Sequence, residues 1–223
     1  MVAKQRLLLV ITLALIGGCG ADQEGDSGTN LAVSSLPGVY AGTFPCEGCP
    51  GIHTRLWLQA DGRFFINQHY PAVEGRQATN AHNLGRWHWA EGDDALQLDG
   101  AGPTRSFSRP NADTLVMRTH SNLEHRLARE PDAPDFSATI RMAGMVNLRG
   151  GGATFSECLT GLVVPVEKNR EFTRLRHQYR SVGERGRPNY VELEGRFQWS
   201  RGVLQSMTIE RFITIKLDAG CNS

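Results

Sequence analysis

Apolar and polar positions fall into four regimes along the chain. Leu7–Ile16 is a short, nearly unbroken apolar run preceded by Lys4 and Arg6. Gly20–Ser35 (GADQEGDSGTNLAVSS) has no period and little apolar content. From Leu36 the pattern turns to period two: Ile52, Thr54, Leu56 and Leu58 alternate with His53, Arg55, Trp57 and Gln59, which predicts a strand with one buried face. Asp61-Gly62 is a hairpin signal, with Phe64 and Ile66 beyond it. Pro71–Asn83 is polar and reads as a loop. Trp87 and Trp89 alternate with Arg86 and His88. Glu91–Asp94 makes a turn into Leu96 and Leu98, and short apolar runs recur at Phe107, Leu115–Met117 and Leu123–Leu127. Closely spaced strands with Gly and Asp turns and no helical stretch predict an antiparallel meander closing into a barrel or sandwich.

Ala128–Ser137 (AREPDAPDFS) has two prolines and reads as a semi-stiff linker. Apolar runs at Ile140–Leu148, Ala153–Phe155 and Leu162–Val166 then predict three strands. Between Glu171 and Arg180 the period changes, placing Phe172, Leu175 and Tyr179 on one helical face. Tyr190–Phe197 and Met207–Leu217 return to strand. Three strands, a helix and two strands is the order of an OB-fold, a partly open five-stranded barrel. The expected class is all-β, with two units.

The first two regimes set the compartment. A basic start, a short apolar segment and small residues before Cys19 describe a secretory leader, too short for a hydrocarbon core of roughly 30 Å. Ile16-Gly17-Gly18-Cys19 resembles a bacterial lipobox, which implies cleavage before Cys19 and acylation (palmitate among the chains) of its sulfur and α-amine. Several acyl chains hold far more firmly than one, each buried methylene contributing about 0.8 kcal/mol. The expected layout is leader 1–18, tether 19–35, first domain 36–129, linker 130–137 and second domain 138–223. By resemblance to sorted enterobacterial lipoproteins, Gly20 after the lipidated cysteine implies the outer membrane rather than retention in the inner one, with the domains facing the periplasm or the cell surface.

Charge excludes one class of partner. Lys plus Arg number 24 against 23 Asp plus Glu, and two of the cations leave with the leader. Without clustered positive charge, nucleic acid is not an expected ligand. Of five cysteines, lipid consumes Cys19. The remaining four suit an oxidising compartment, and the simplest of three connectivities is local: Cys46 with Cys49, and Cys158 with Cys221. The second would close a loop of about sixty residues and stabilise by roughly 4 kcal/mol. It has two readings, a staple only, or a bond whose failure to form would loosen the second domain and expose surface to a partner.

Cys46-Glu47-Gly48-Cys49 sits between two strands with Pro45 before it and Pro50 after. Two thiolates, with His53 as the weaker third ligand, would suit soft Cu(I). A structural zinc site wants four ligands, and no second CxxC exists. A redox catalyst wants the motif at a helix N-terminus. A small disulfide pinning a barrel mouth is the plain alternative. His53, His69, His82, His88, His120 and His125 lack ligand spacing, and no nucleophile elbow or triad signature occurs, so no enzyme activity is expected.

Val39-Tyr40-x-Gly42-x-x-Pro45-Cys46-x-x-Cys49-x-Gly51-Ile52-x-Thr54-x-Leu56-x-Leu58-x-x-Asp61-Gly62 is similar to the N-terminal motif of the NlpE family of copper-resistance lipoproteins. Gly85-x-Trp87 and Leu96-x-Leu98 fall where that family's later strands do. Ala153-Thr154-Phe155-x-x-Cys158-x-Thr160-Gly161-x-x-x-Pro165-Val166 and Leu193-Glu194-Gly195-x-Phe197 look like the signatures of its second domain. The resemblance implies a lipocalin-like antiparallel β-barrel followed by an OB-fold barrel. It further implies a role in envelope stress sensing, through a Cpx-type inner-membrane sensor kinase, and in copper resistance. Two other functions fit the same residues: copper binding or delivery by Cys46 and Cys49, and carriage of a small apolar ligand in the first barrel. Edge strands of small barrels also allow a homodimer.

Overall fold

The computed structural model describes residues 35–90, 92, 94–118, 124–182 and 186–221. The leader, Cys19, His120 and nearly all of the tether lie outside them. Among the described residues there are two closed barrels and one helix.

The first barrel is an eight-stranded meander: β1 (Gly38–Cys46), β2 (Cys49–Leu58), β3 (Arg63–Tyr70), β4 (Thr79–Ala90), β5 (Ala95–Gly100), β6 (Arg105–Asn111), β7 (Thr114–Arg118) and β8 (Glu124–Arg129). Each strand pairs with the next, and β1 closes on β8 through Tyr40 opposite Arg129 and Ala41 opposite Ala128. Inward positions follow the period-two pattern. Tyr40, Phe44, Leu56, Leu58, Phe64, Ile66, Trp87, Leu96, Leu98, Phe107, Leu115 and Leu127 fill the interior, with Leu36 plugging one end. At the other end the inside turns polar: Gln68 donates to Thr54 (3.4 Å) and accepts from Arg105 (3.3 Å). Gly85 is required by packing, since a Cβ there would run into the Asp99 carbonyl and the Phe64 ring.

One expectation is corrected. The polar Pro71–Asn83 stretch is not a loop throughout, because β4 begins at Thr79. Its first residues are exposed or half-exposed on both faces, so nothing imposed the alternation by which a strand is recognised.

The second barrel comprises β9 (Thr139–Arg149), β10 (Gly152–Glu157), β11 (Val163–Val166), α1 (Arg170–Val182), β12 (Asn189–Ser200) and β13 (Val203–Lys216). It closes in the order β10-β11-β13-β12-β9, with only β11–β13 parallel. Asn169 caps α1, its Oδ1 accepting the Phe172 amide at 2.8 Å. Phe172, Leu175 and Tyr179 are the buried helix face, the three positions that the helical period singles out.

Candidate functional site

The first barrel has two chemically different poles. The tether enters at one. Tyr40 Oη donates to the Leu36 carbonyl (2.9 Å), and Arg129 lies 4.7 Å from the Tyr40 ring while donating to the carbonyls of Pro37 (3.0 Å) and Ser35 (2.5 Å). Burial raises the Tyr40 hydroxyl pKa, and the Arg129 cation opposes that shift. The start of the described chain is therefore clamped where it meets the barrel.

Cys46 and Cys49 occupy the opposite pole, about 27 Å along β1 at 3.4 Å per residue. They pair across the β1–β2 hairpin and are joined as a disulfide, with Cα atoms 5.6 Å apart. Gly48 supplies the turn with φ of 70°. In this state the sulfurs are bonded to each other and present no thiolates, so the motif as it stands does not fit Cu(I). Among the described residues no three His, Cys, Asp or Glu side chains gather in a metal-holding geometry. His53 is held elsewhere, its Nδ1 hydrogen-bonded to Thr43 Oγ1 (3.1 Å).

Between the poles, the outer face of β2, β3 and β4 is a ladder of three rows. His53, His69 and Asn80 form the row nearest the hairpin; Arg55, Asn67 and His82 the middle; Trp57, Phe65 and Leu84 the row nearest the tether. The last row is apolar, and it is buried in the core of the second barrel. Phe136 of the linker stacks on Phe65 at 5.0 Å and meets Trp57 edge-on at 5.1 Å. Phe197 and Trp199 of β12 each meet Phe65 in a T-shaped contact, with centroids at 5.5 Å. Trp57 Nε1 donates to the Pro134 carbonyl (3.0 Å), and Arg55 binds Glu130 through two hydrogen bonds (2.7 and 2.9 Å). The linker is thus folded onto the first barrel rather than spanning free space. Above this junction lies a groove lined by Asn67, Asn80, His82 and linker residues; burial lowers the His82 pKa.

The loop carrying Cys158 is tied to both barrels. Cys158 is bonded to Cys221 at the end of the described chain, with Cα atoms 5.0 Å apart. The neighbouring Glu157 is 3 % exposed, and its carboxylate accepts the amides of Leu159 (3.0 Å) and Thr160 (2.7 Å) and the Thr160 hydroxyl (2.6 Å). Arg86 of the first barrel reaches across and donates to the Thr160 carbonyl.

Comparison with known proteins accounts for this pairing of barrels. Residues 40–124 match the NlpE N-terminal domain, and residues 136–221 match the NlpE C-terminal OB domain. The chain belongs to the NlpE family. It is 29 % identical over 200 residues to lipoprotein NlpE of Escherichia coli (strain K12), across 85 % of this chain and 82 % of that protein. Among solved structures, it is similar to the crystal structure of the Cpx pathway activator NlpE from Escherichia coli (22 % identity, 84 % of this chain and 100 % of that one, TM-score 0.36). It is also similar to a putative lipoprotein from Shewanella oneidensis (27 % identity, 48 % of this chain and 97 % of that one, TM-score 0.37).

Placed on this NlpE architecture, the candidate residues separate rather than converge. Cys46 and Cys49 cap one pole of the first barrel, Cys158 and Cys221 close the second, and Cys19 lies outside the described residues. The interdomain row was missed from sequence. Its signal was present in Trp57-Leu58 and Phe64-Phe65-Ile66, where apolar residues occupy both faces of a strand.

Proposed function

We propose that this protein is an envelope lipoprotein, anchored in the outer membrane through acylated Cys19, that reports on the condition of the envelope to a Cpx-type sensor kinase in the inner membrane. Support comes from NlpE family membership over both domains, from its relationship to a named lipoprotein and from a lipobox-like leader. The single observation that carries the sensing role is the Cys158–Cys221 bond. It closes a loop that Arg86 of the first barrel grips, so a change in the oxidation of the second domain is felt at the junction between domains. Signalling is positional and conformational. Protein that fails to be sorted stays within reach of the kinase, and protein that fails to oxidise presents a loosened second domain.

The test is a Cpx-type reporter in cells expressing the full chain, Cys19→Ala, a variant retained in the inner membrane, or Cys158→Ser/Cys221→Ser. Retention and loss of the disulfide should each raise reporter output. Output unchanged by all three variants refutes the reading. The copper-resistance part rests on Cys46 and Cys49, which can take Cu(I) only after reduction exposes both thiolates. Copper tolerance unaltered by Cys46→Ser/Cys49→Ser removes it.

A further inference from the structure

The row of the outer ladder nearest the disulfide hairpin carries an arrangement that the signalling reading does not use. His53 and His69 face each other directly across β2 and β3. Their rings are nearly parallel, 20° apart in plane, with centroids at 6.2 Å. Each makes a hydrogen bond through its Nδ1: His53 with Thr43 Oγ1 at 3.1 Å, and His69 with Asn80 Oδ1 at 2.9 Å. The tautomer that completes the contact with Asn80 Oδ1 has its N–H at Nδ1 and a lone pair at Nε2. The Thr43 hydroxyl can accept in the same way from His53. An imidazole whose other nitrogen donates to an oxygen is how proteins orient and fix the tautomer of a metal-ligating histidine.

We propose that His53 and His69 form a two-imidazole site for a borderline divalent cation of the Zn(II), Ni(II) or Cu(II) class, the ions that imidazole prefers. Metal–nitrogen bonds of about 2.0–2.1 Å put the two ring centroids about 4.5–5.2 Å apart for ligand angles between square and tetrahedral. The observed spacing therefore needs to close by about 1.0–1.7 Å, which rotation of the exposed His53 side chain and the half-buried His69 side chain supplies. Both histidines line an open cleft with Thr43, Arg55 and Asn67. The Arg55 charge is offset by its paired contact with Glu130, so it does not stand as an uncompensated cation beside the site. Two protein ligands leave the remaining positions to water or to a donor from a partner molecule. The site needs no thiolate and is available while Cys46 and Cys49 remain bonded. It goes beyond the signalling reading and does not depend on it.

The test is titration of the full oxidised chain in detergent with Cu(II) as spectroscopic probe, read by electron paramagnetic resonance. One equivalent should bind with coupling to two imidazole nitrogens. That signal should disappear, with at least a tenfold loss of affinity, in His53→Gln and separately in His69→Gln. It should survive in His88→Gln and in Cys46→Ser/Cys49→Ser. Circular dichroism of each variant confirms that the barrel is folded. A signal untouched by His69→Gln, or lost only when the cysteines are replaced, overturns the assignment.

Discussion

Phe65 of β3 stacks on Phe136 of the linker with centroids 5.0 Å apart and planes at 29°. Phe65 belongs by sequence to the first barrel and by packing to the core of the second. The two domains therefore share an aromatic junction, and truncating either ring opens a cavity in it. Phe→Ala changes in cores cost about 3–5 kcal/mol. Phe65→Ala or Phe136→Ala should separate the unfolding of the two barrels into distinct transitions and speed proteolysis at Pro131–Pro134. A single calorimetric transition and unchanged cleavage would show that the barrels are coupled by other contacts.

The two disulfides should differ in their weight. The Cys158–Cys221 bond closes a separation of 63 residues and the Cys46–Cys49 bond one of 3. In the chain-entropy treatment these correspond to about 4 and about 1.5 kcal/mol. Chemical denaturation of Cys158→Ser/Cys221→Ser should show a large loss in the second barrel, and Cys46→Ser/Cys49→Ser a small one in the first. Equal losses would mean that native-state contacts, not loop closure, govern both.

Much of this fold was legible because one physical rule, burial of every second residue, writes itself into the strands. Ile52, Thr54, Leu56 and Leu58 alternate because one side of β2 lines a barrel, and Phe172, Leu175 and Tyr179 recur at helical spacing because α1 covers one. The start of β4 was not legible, since Thr79–Ala81 are exposed whichever face they lie on and no burial constrains them. The junction was hidden for the opposite reason. Trp57 and Phe65 are apolar at outward positions because a second domain covers them, and a single strand's pattern cannot name the surface that does so. His53 and His69 lie sixteen residues apart in sequence and meet only through the β2–β3 register, so no local ligand spacing announced them.

Glu157 should be indispensable to the Cys158 loop. Its buried carboxylate accepts three hydrogen bonds from Leu159 and Thr160. Glu157→Ala would strand those donors, each unsatisfied buried group costing about 1–3 kcal/mol. Glu157→Gln keeps the shape and part of the acceptor capacity, and should lose less. Thermal unfolding of both variants, with free-thiol labelling of Cys158 and Cys221, checks this. Wild-type stability and labelling in Glu157→Ala would remove the carboxylate from any role in holding the loop.

Mild acid should weaken the junction through His82. This ring sits beside the linker with its centroid 6.5 Å from Phe136, and Arg55, Asn67 and Asp135 share its groove. Burial disfavours the charged imidazolium, so the folded pKa lies below the ordinary 6.5. When pH falls through 6.5, the unfolded chain takes up a proton that the folded chain resists, and stability declines from there down to the folded value. The depressed carboxylates Glu124, Glu167, Glu171, Glu192 and Glu194, held down chiefly by hydrogen bonds, lose their contribution only below about 4.5. A comparison between pH 7.5 and 5.5 therefore isolates the histidine window. Melting temperature should fall across it in the wild-type chain, and less steeply in His82→Gln. Parallel slopes would place the acid sensitivity at other histidines.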